Sequence, residues 1–385
     1  MSDIHRQVRQ PLAIFYALFF SLVGCNAPYW GPYLQSLGFD YGAIGSAIAA
    51  FSLIRIVAPM LWAHWSRHFQ TPLHMARIAG LLTAVCFSAI WWVDGFWPVV
   101  GVMLLYGFFW SAMLPQYEVL TMQAIASSLE DYSRIRLWGS VGFVITVALL
   151  GWLFEYISVQ WLPVIMLVLM LGVVINSWRL TRISTGQAPT GDGAGSSIWK
   201  LAGRWPVMAF LLVNLLLQVS HGPLYTFFSI YLEENGYSSA SVGLLWALGV
   251  IAEVILFWRM RWLLRWLSLR HWLLASLAMT ALRWLLIAAF PQQVWVLLLA
   301  QVSHAFTFAM LHAVCIRYVP LLFAGNQGQG QALYSSAGFG LGGALGAWLS
   351  GYFWHLGGEQ VFIGAAAVAI LALVVAWQGM KIELE

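Results

Sequence analysis

Five ionisable side chains, Arg55, Glu118, Arg136, Glu253 and Arg283, stand inside long apolar runs of the sequence, and His304 and His312 share another such run. Asn26, Gln116, Gln123 and Gln301 add neutral donors and acceptors to the same kind of surroundings. Arginine can hold a carboxylate through two parallel N–H groups, glutamate can take up and release a proton, and imidazole exchanges protons near neutral pH. The chemistry on offer is anion binding and proton transfer. An ionised group at the centre of a bilayer costs about 3 kcal/mol on insertion scales, so charges there generally face a cavity or a partner. Three positive charges against two negative ones fit ion pairs across a polar cavity.

The elements that must hold these groups follow from composition. Of 385 residues, 61% are hydrophobic and only 8% are Asp, Glu, Lys or Arg, where a soluble domain carries about a quarter. That excludes a soluble enzyme, a nucleic-acid binder and a disordered chain, and leaves the bilayer as solvent. A spanning helix needs roughly 20 apolar residues, whereas an outer-membrane barrel would show alternating segments of ~10 residues. Gly, Pro and charge break the chain into twelve apolar segments: 11–35, 41–65, 72–93, 96–127, 133–154, 159–180, 204–232, 238–260, 269–290, 292–320, 328–353 and 358–379. The predicted fold is an all-α membrane protein of twelve transmembrane helices in two pseudo-symmetric six-helix bundles. No cleavable signal peptide is expected, because Met1 to Gln10 is polar and the run after it is too long. Cys25, Cys86 and Cys315 lie in apolar stretches and read as packing residues.

Charge then sets orientation, because Lys and Arg collect on the cytoplasmic side. Arg6, Arg9, Arg67, Arg77, Arg134, Arg179, Arg182, Lys200, Arg204, Arg259, Arg261, Arg265, Arg270, Arg317 and Lys381 fall at the termini and in even-numbered loops. The odd-numbered loops carry only Asp40, Asp94, Glu155, Glu233, Glu234 and Glu359. Both termini are therefore expected in the cytoplasm of a multi-pass bacterial inner-membrane protein.

A repeat organises the chain. Tyr33-Leu-Gln-Ser-Leu-Gly38-Phe is echoed by Tyr231-Leu-Glu-Glu-Asn-Gly236-Tyr at an offset of 198, and Ser140-Val-Gly-Phe by Ser336-Ala-Gly-Phe at 196. Between the halves lies a stretch rich in Gly, Ser and Pro, flexible in composition. The expected division is 1–182, a cytoplasmic linker 183–203, and 204–385. Transporters built from such repeats bind their solute near the midplane, often at interrupted helices. Cys25-Asn-Ala-Pro-Tyr-Trp-Gly-Pro-Tyr33 and His221-Gly-Pro-Leu-Tyr225 would interrupt the first and seventh spans. Asn26, Tyr29, Trp30 and Tyr225 are thus candidate substrate contacts, and the aromatic members serve equally well as packing.

Each charge has a plainer explanation beside the functional one. Glu118 with Arg136, or Glu253 with Arg283, can be pairs that fix helix register. Arg55 has no evident partner in its own half. His304 lies near mid-span and suits chemistry, although a neutral hydrogen-bonded histidine fits too, and His312 stands closer to the cytoplasmic end. No phosphate-binding loop, zinc-protease motif or paired-cysteine motif is present. The chain is not expected to be an enzyme, to hold a metal or cofactor, or to bind nucleic acid.

Asp131-Tyr-Ser-Arg134-Ile-Arg136-Leu-Trp-Gly-Ser-Val-Gly-Phe143 resembles the fifth-helix signature of the phenylpropionate-permease-like branch of the major facilitator superfamily. Gly236-Tyr-Ser-Ser-Ala-Ser-Val-Gly-Leu-Leu-Trp-Ala-Leu-Gly-Val-Ile-Ala-Glu253-Val is similar to its eighth helix, and Leu282-Arg283-Trp284 and His304-Ala-Phe-Thr-Phe-Ala-Met-Leu-His312 continue the match. The resemblance spans the whole chain. In the related lactose permease group a fourth-helix Glu and a fifth-helix Arg bind substrate, which implies that role for Glu118 and Arg136. An eighth-helix Glu, ninth-helix Arg and tenth-helix His correspond to Glu253, Arg283 and His304. The proton-binding Glu that the sugar permeases carry three residues beyond that His is Thr307 here, leaving Glu253 and His304 as the candidate proton carriers, with Arg283 beside them and Glu118 as the lesser candidate. The superfamily's second-loop Gly-x-x-x-Asp-Arg pattern is degenerate, reading Pro59-Met-Leu-Trp-Ala-His-Trp-Ser-Arg67.

These readings imply a secondary active transporter that works by alternating access as a monomer in the lipid bilayer. Its small-molecule substrate would be an aromatic carboxylate such as 3-phenylpropionate, moved in symport with protons. The alternatives are a proton-coupled sugar or nucleoside symporter, and a sensor or assembly protein with a transporter fold.

Overall fold

A bilayer offers no hydrogen bonds to the backbone, so apolar runs of this length must satisfy their peptide groups internally as helices. The computed structural model describes residues 2–125, 129–180, 201 and 203–381, and every regular element among them is helical. We number the long helices α1 (Ser2–Ser36), α2 (Tyr41–Trp65), α3 (Pro72–Ser88), α4 (Phe96–Ala124), α5 (Leu129–Leu153), α6 (Leu162–Ser177), α7 (Trp205–Glu234), α8 (Ser239–Leu263), α9 (Leu269–Ala289), α10 (Val294–Leu322), α11 (327–353) and α12 (Gly358–Gly379). Eleven of them are long and apolar enough to cross a membrane, and α11 falls short because Gly, Ser and Gln dilute its apolar content.

Their ends lie within about one turn of the predicted ones, except that α1 starts at Ser2 and takes in the polar leader. The expected interruptions occur in one place of the two. α1 runs unbroken through Pro28 and Pro32. α7 breaks at His221, between helical segments Trp205–Ser220 and Gly222–Glu234, with Pro223 restarting the second. A proline removes one donor from a spanning helix, and neighbouring helices can absorb that loss without ending it. Two wide π-turns, Ala305–Met310 in α10 and Ser336–Gly342 in α11, were not legible in the sequence.

The repeat corresponds to a repeated turn. After α1 the Phe39 N–H donates to the Leu34 carbonyl (3.3 Å) and Gly38 N–H to Gln35 (2.9 Å); after α7, Tyr237 donates to Leu232 and Gly236 to Glu233, both at 3.0 Å. Gly38 and Gly236 each hold φ +85°. This closing turn needs a left-handed residue, which glycine adopts without a Cβ clash. The next helices are then capped alike, Asp40 Oδ1 accepting from Ala43 N–H and Ser238 Oγ from Ser241 N–H.

The described chain separates into two compact units, Met1–Phe39 with Leu53–Thr190, and Asp40–Ser52 with Gly191–Glu385. The predicted linker 183–203 lies almost wholly outside the described residues. In the first unit α1 packs on α5 and α6, and α3 on α4 and α6; in the second, α7 packs on α11 and α12, and α9 on α10 and α12. Each unit also ties its last helix down with an arginine. Arg77 Nη2 donates to the Ser177 and Leu180 carbonyls and stacks on Trp178; Arg270 Nη2 donates to the Trp377 carbonyl and lies over that ring.

In the second unit, α7 and α11 meet backbone to backbone. A Cβ on Gly222 would overlap the Gly346 carbonyl, and one on Gly346 would lie 2.8 Å from the Val219 carbonyl oxygen. Gly222→Val or Gly346→Val should therefore cost about 1–3 kcal/mol of stability through overpacking. Gly364→Ala, with nothing within 4 Å of its Cβ, should be neutral. Thermal unfolding of the purified variants in detergent checks both expectations.

Candidate functional site

Three helices of the second unit, α8, α9 and α10, bring the predicted charges together. Arg283 on α9 is fully buried. Its Nη1 reaches His304 Nδ1 at 2.8 Å and Thr307 Oγ1 at 3.3 Å, and its Nη2 donates to Gln301 Oε1 at 2.8 Å. The guanidinium also lies 4.6 Å over the Trp284 ring. On the far side of the imidazole, His304 Nε2 meets Glu253 Oε1 at 2.8 Å. Glu253 and Arg283, expected as a possible direct pair, are linked through His304.

Proton positions follow from which atoms can donate. A guanidinium has N–H groups and no acceptor, so His304 Nδ1 must accept. A neutral His304 then carries its hydrogen on Nε2 and donates it to the Glu253 carboxylate. A proton added at Nδ1 would set two donors against each other and break the Arg283 contact. Of Arg283, His304 and Glu253, the one that can gain a proton without losing an existing bond is Glu253.

Thr307 stands where the sugar permeases carry a glutamate, and its hydroxyl is used on Arg283 and on the His304 carbonyl, at 3.3 Å each. It sits in the π-turn that directly follows His304. Such wide turns are rare and frequent at functional sites.

Two members of this cluster were missed as site residues. Gln301 reads in the sequence only as a polar residue in an apolar run; one turn before His304, it accepts from Arg283. His221 occupies the break in α7 and is fully buried. Its Nδ1 lies 2.9 Å from the Leu217 carbonyl, so the hydrogen is on Nδ1 and Nε2 is a lone pair. The ring stands edge-on to Trp284 at 5.0 Å and beside Tyr225, His304 and Phe308 at 6.0, 6.3 and 6.4 Å. The signal for His221 was the Ser-His-Gly-Pro interruption itself. His221 Nε2, Gln301 Nε2 and Arg283 Nε have no hydrogen-bond partner among the described residues. Buried polar atoms are normally satisfied, so three orphans in one cluster are informative.

His312 is bonded through Nδ1 to the Tyr334 hydroxyl at 2.8 Å and lies within electrostatic reach of Glu253. Tyr225 packs against Trp246 and Phe308, both at 6.3 Å.

In the first unit, Arg136 on α5 is held by rings and by a side-chain hydrogen bond with Tyr132. Its guanidinium lies 4.0 Å over Phe20 and 5.4 Å from the Tyr16 centroid, both on α1. Glu118 on α4 is within its electrostatic reach, with no ion pair or hydrogen bond between them. Asn26 Nδ2 donates to the Tyr106 hydroxyl at 2.9 Å. Tyr29 and Trp30 are buried, the first donating to the Val147 carbonyl at 2.6 Å and the second to Met103 Sδ at 3.4 Å. Arg55 on α2 is exposed. Among the described residues no cluster of His, Cys, Asp or Glu could hold a metal ion.

Removing Arg283 alone would strand Gln301 and Thr307 and leave the Glu253 carboxylate uncompensated. Arg283→Met should destabilise the protein by about 3–5 kcal/mol, the cost of breaking a buried charge pair. Arg283→Met/Glu253→Gln should recover a large part of that loss in the same thermal assay. A double variant no better than the single one would show that the two charges are not coupled.

The profile of the MFS_1 like family matches residues 10–364. A probable 3-phenylpropionic acid transporter of Escherichia coli (strain K12) is 31% identical, over 94% of this chain and 95% of that protein. A maltose permease of Geobacillus stearothermophilus is 25% identical, over 92% and 91%. Among solved structures the nucleoside transporter NupG superposes with a TM-score of 0.85 at 18% identity, covering 97% of this chain and 99% of that one, which shows the fold. The chain belongs to the MFS_1 like family and is a multi-pass membrane transporter of the major facilitator type.

Proposed function

We propose that this transporter imports a small aromatic carboxylate together with protons, by alternating access, as a monomer in the bacterial inner membrane with both termini cytoplasmic. The two repeat-related halves, 1–182 and 204–385, are the moving parts. The observation that carries the reading is the Arg283–His304–Glu253 chain, in which a fixed cation and a fixed imidazole tautomer leave Glu253 as the proton acceptor.

Arg136 suits the anion. Phe20 and Tyr16 cover the guanidinium face, while its N–H edge can take a carboxylate bidentately. Glu118 balances that charge when no solute is bound. The aromatic side chains around Arg136 match a phenyl ring, and the 31% identical relative is named for 3-phenylpropionic acid. Asn26, Tyr225 and Arg283 are further substrate contacts in this reading. His221 and Gln301 join them because their unsatisfied nitrogens can bond a solute or its water. Protonation of Glu253 drives the cycle only if the two conformations differ in their affinity for the proton and the solute.

A second reading is a proton-coupled sugar or nucleoside symporter, favoured by the 25% identity to a maltose permease. Proteoliposome uptake of aromatic acids, sugars and nucleosides under an imposed pH gradient separates the two. Accumulation of an aromatic acid, unaffected by sugars, is expected; accumulation of a sugar or nucleoside instead would replace the first reading with the second.

Glu253→Gln should abolish accumulation driven by the pH gradient while sparing counterflow exchange, and intact accumulation would remove Glu253 from the coupling role. Arg136→Lys should weaken apparent affinity by about tenfold or more, since a hydrogen bond to a charged group contributes about 1.5–3 kcal/mol and lysine lacks the planar fork. Unchanged uptake kinetics would refute that clamp.

A further inference from the structure

From Val254 to Gly358 the sequence contains no Asp or Glu, yet the same stretch carries Arg259, Arg261, Arg265, Arg270, Arg283 and Arg317. Arg283 is accounted for inside the second unit, and Arg270 by the end of α12. Arg259, Arg261 and Arg265, at the end of α8 and in the turn to α9, are all exposed, and the side chain of none forms an ion pair or hydrogen bond with another described residue. The first unit differs, since there Arg9 has Asp131 as a partner.

Tryptophans occupy the same stretch. Trp258, Trp262 and Trp266 recur every fourth residue and are 77%, 53% and 66% exposed. At 3.6 residues per turn Trp258 and Trp262 lie on one face of α8, flanked by Arg261 on one side and by Arg259 on the other. Arg265 and Trp266 follow in the turn beyond its end, where the Trp266 ring lies 5.1 Å from that of Trp262. The four on the helix fall within an arc of about 160°, over a rise of roughly 6 Å. Arg259 lies 4.5 Å over the Trp258 ring. Indole rings prefer the headgroup level of a bilayer, and guanidinium binds a phosphodiester through two parallel hydrogen bonds.

We propose that this Arg–Trp stripe is a binding surface for anionic phospholipid headgroups of the adjacent leaflet. The arginines supply the charge that the carboxylate-free stretch leaves uncompensated, and the tryptophans set the depth at which the phosphates meet them. A zwitterionic lipid brings its own cationic amine and would gain less, so the surface discriminates by headgroup charge. The inference is independent of the substrate and of proton coupling.

The test uses the full-length protein in mixed micelles containing phosphatidylglycerol and phosphatidylcholine, with retained lipid counted by native mass spectrometry. The wild type should keep phosphatidylglycerol in preference, and Arg261→Gln/Arg265→Gln should lower that preference at least about fivefold. The double lysine variant should retain part of it, because charge remains and the fork is lost. Equal retention of the two lipids by the wild type would overturn the proposal even if the variants fold poorly. So would unchanged preference in a double glutamine variant, or displacement of the lipid by inorganic phosphate at equal concentration.

Discussion

The second unit is organised around a cation that cannot leave and cannot lose its proton. Arg283 is fully buried, and an arginine keeps its charge under any condition a protein meets. Burying such a charge is expensive unless hydrogen-bond acceptors surround it. Gln301, His304 and Thr307, all on α10, provide them. Much else follows from that demand. His304 must present Nδ1 to the guanidinium, its other nitrogen must then donate, and Glu253 on α8 receives that donation. Three helices are tied by one charge.

The first unit meets the same problem in another way. Arg136 rests on the faces of Phe20 and Tyr16, which attract a cation through the ring quadrupole and use none of its N–H groups. One arginine is held by three side-chain acceptors, the other by ring faces and a side-chain hydrogen bond to Tyr132. That asymmetry, inside two halves of related sequence, is the physical basis for assigning the proton to one half and the anion to the other.

Much of this was legible in the residues. A charge in an apolar run is conspicuous because the bilayer penalises it, which is why Glu253, Arg283 and His304 stood out before any geometry was known. The turn after α1 was readable for a similar reason, since Gly38 and Gly236 repeat with their neighbours and a left-handed turn demands them. Gln301 and His221 were harder. A neutral amide or imidazole carries little cost to mark it, and its role depends on a partner distant in sequence, Arg283 for one and the Leu217 carbonyl beside a helix break for the other. Pro28 and Pro32 misled because a proline ends a helix only where the freed carbonyl lacks compensation. The π-turns after His304 and at Ser336 left no trace, because one extra residue in a turn changes neither composition nor apolar length.

The central claim is that Arg283 dictates where His304 keeps its hydrogen and thereby makes Glu253 the proton acceptor. Nitrogen-15 NMR of histidine-labelled protein in bilayers at neutral pH, with His304 identified by the signals missing from His304→Gln, measures this directly. A singly protonated ring is expected, with hydrogen on Nε2 and a bare, hydrogen-bonded Nδ1. A ring protonated on Nδ1, alone or together with Nε2, would contradict it.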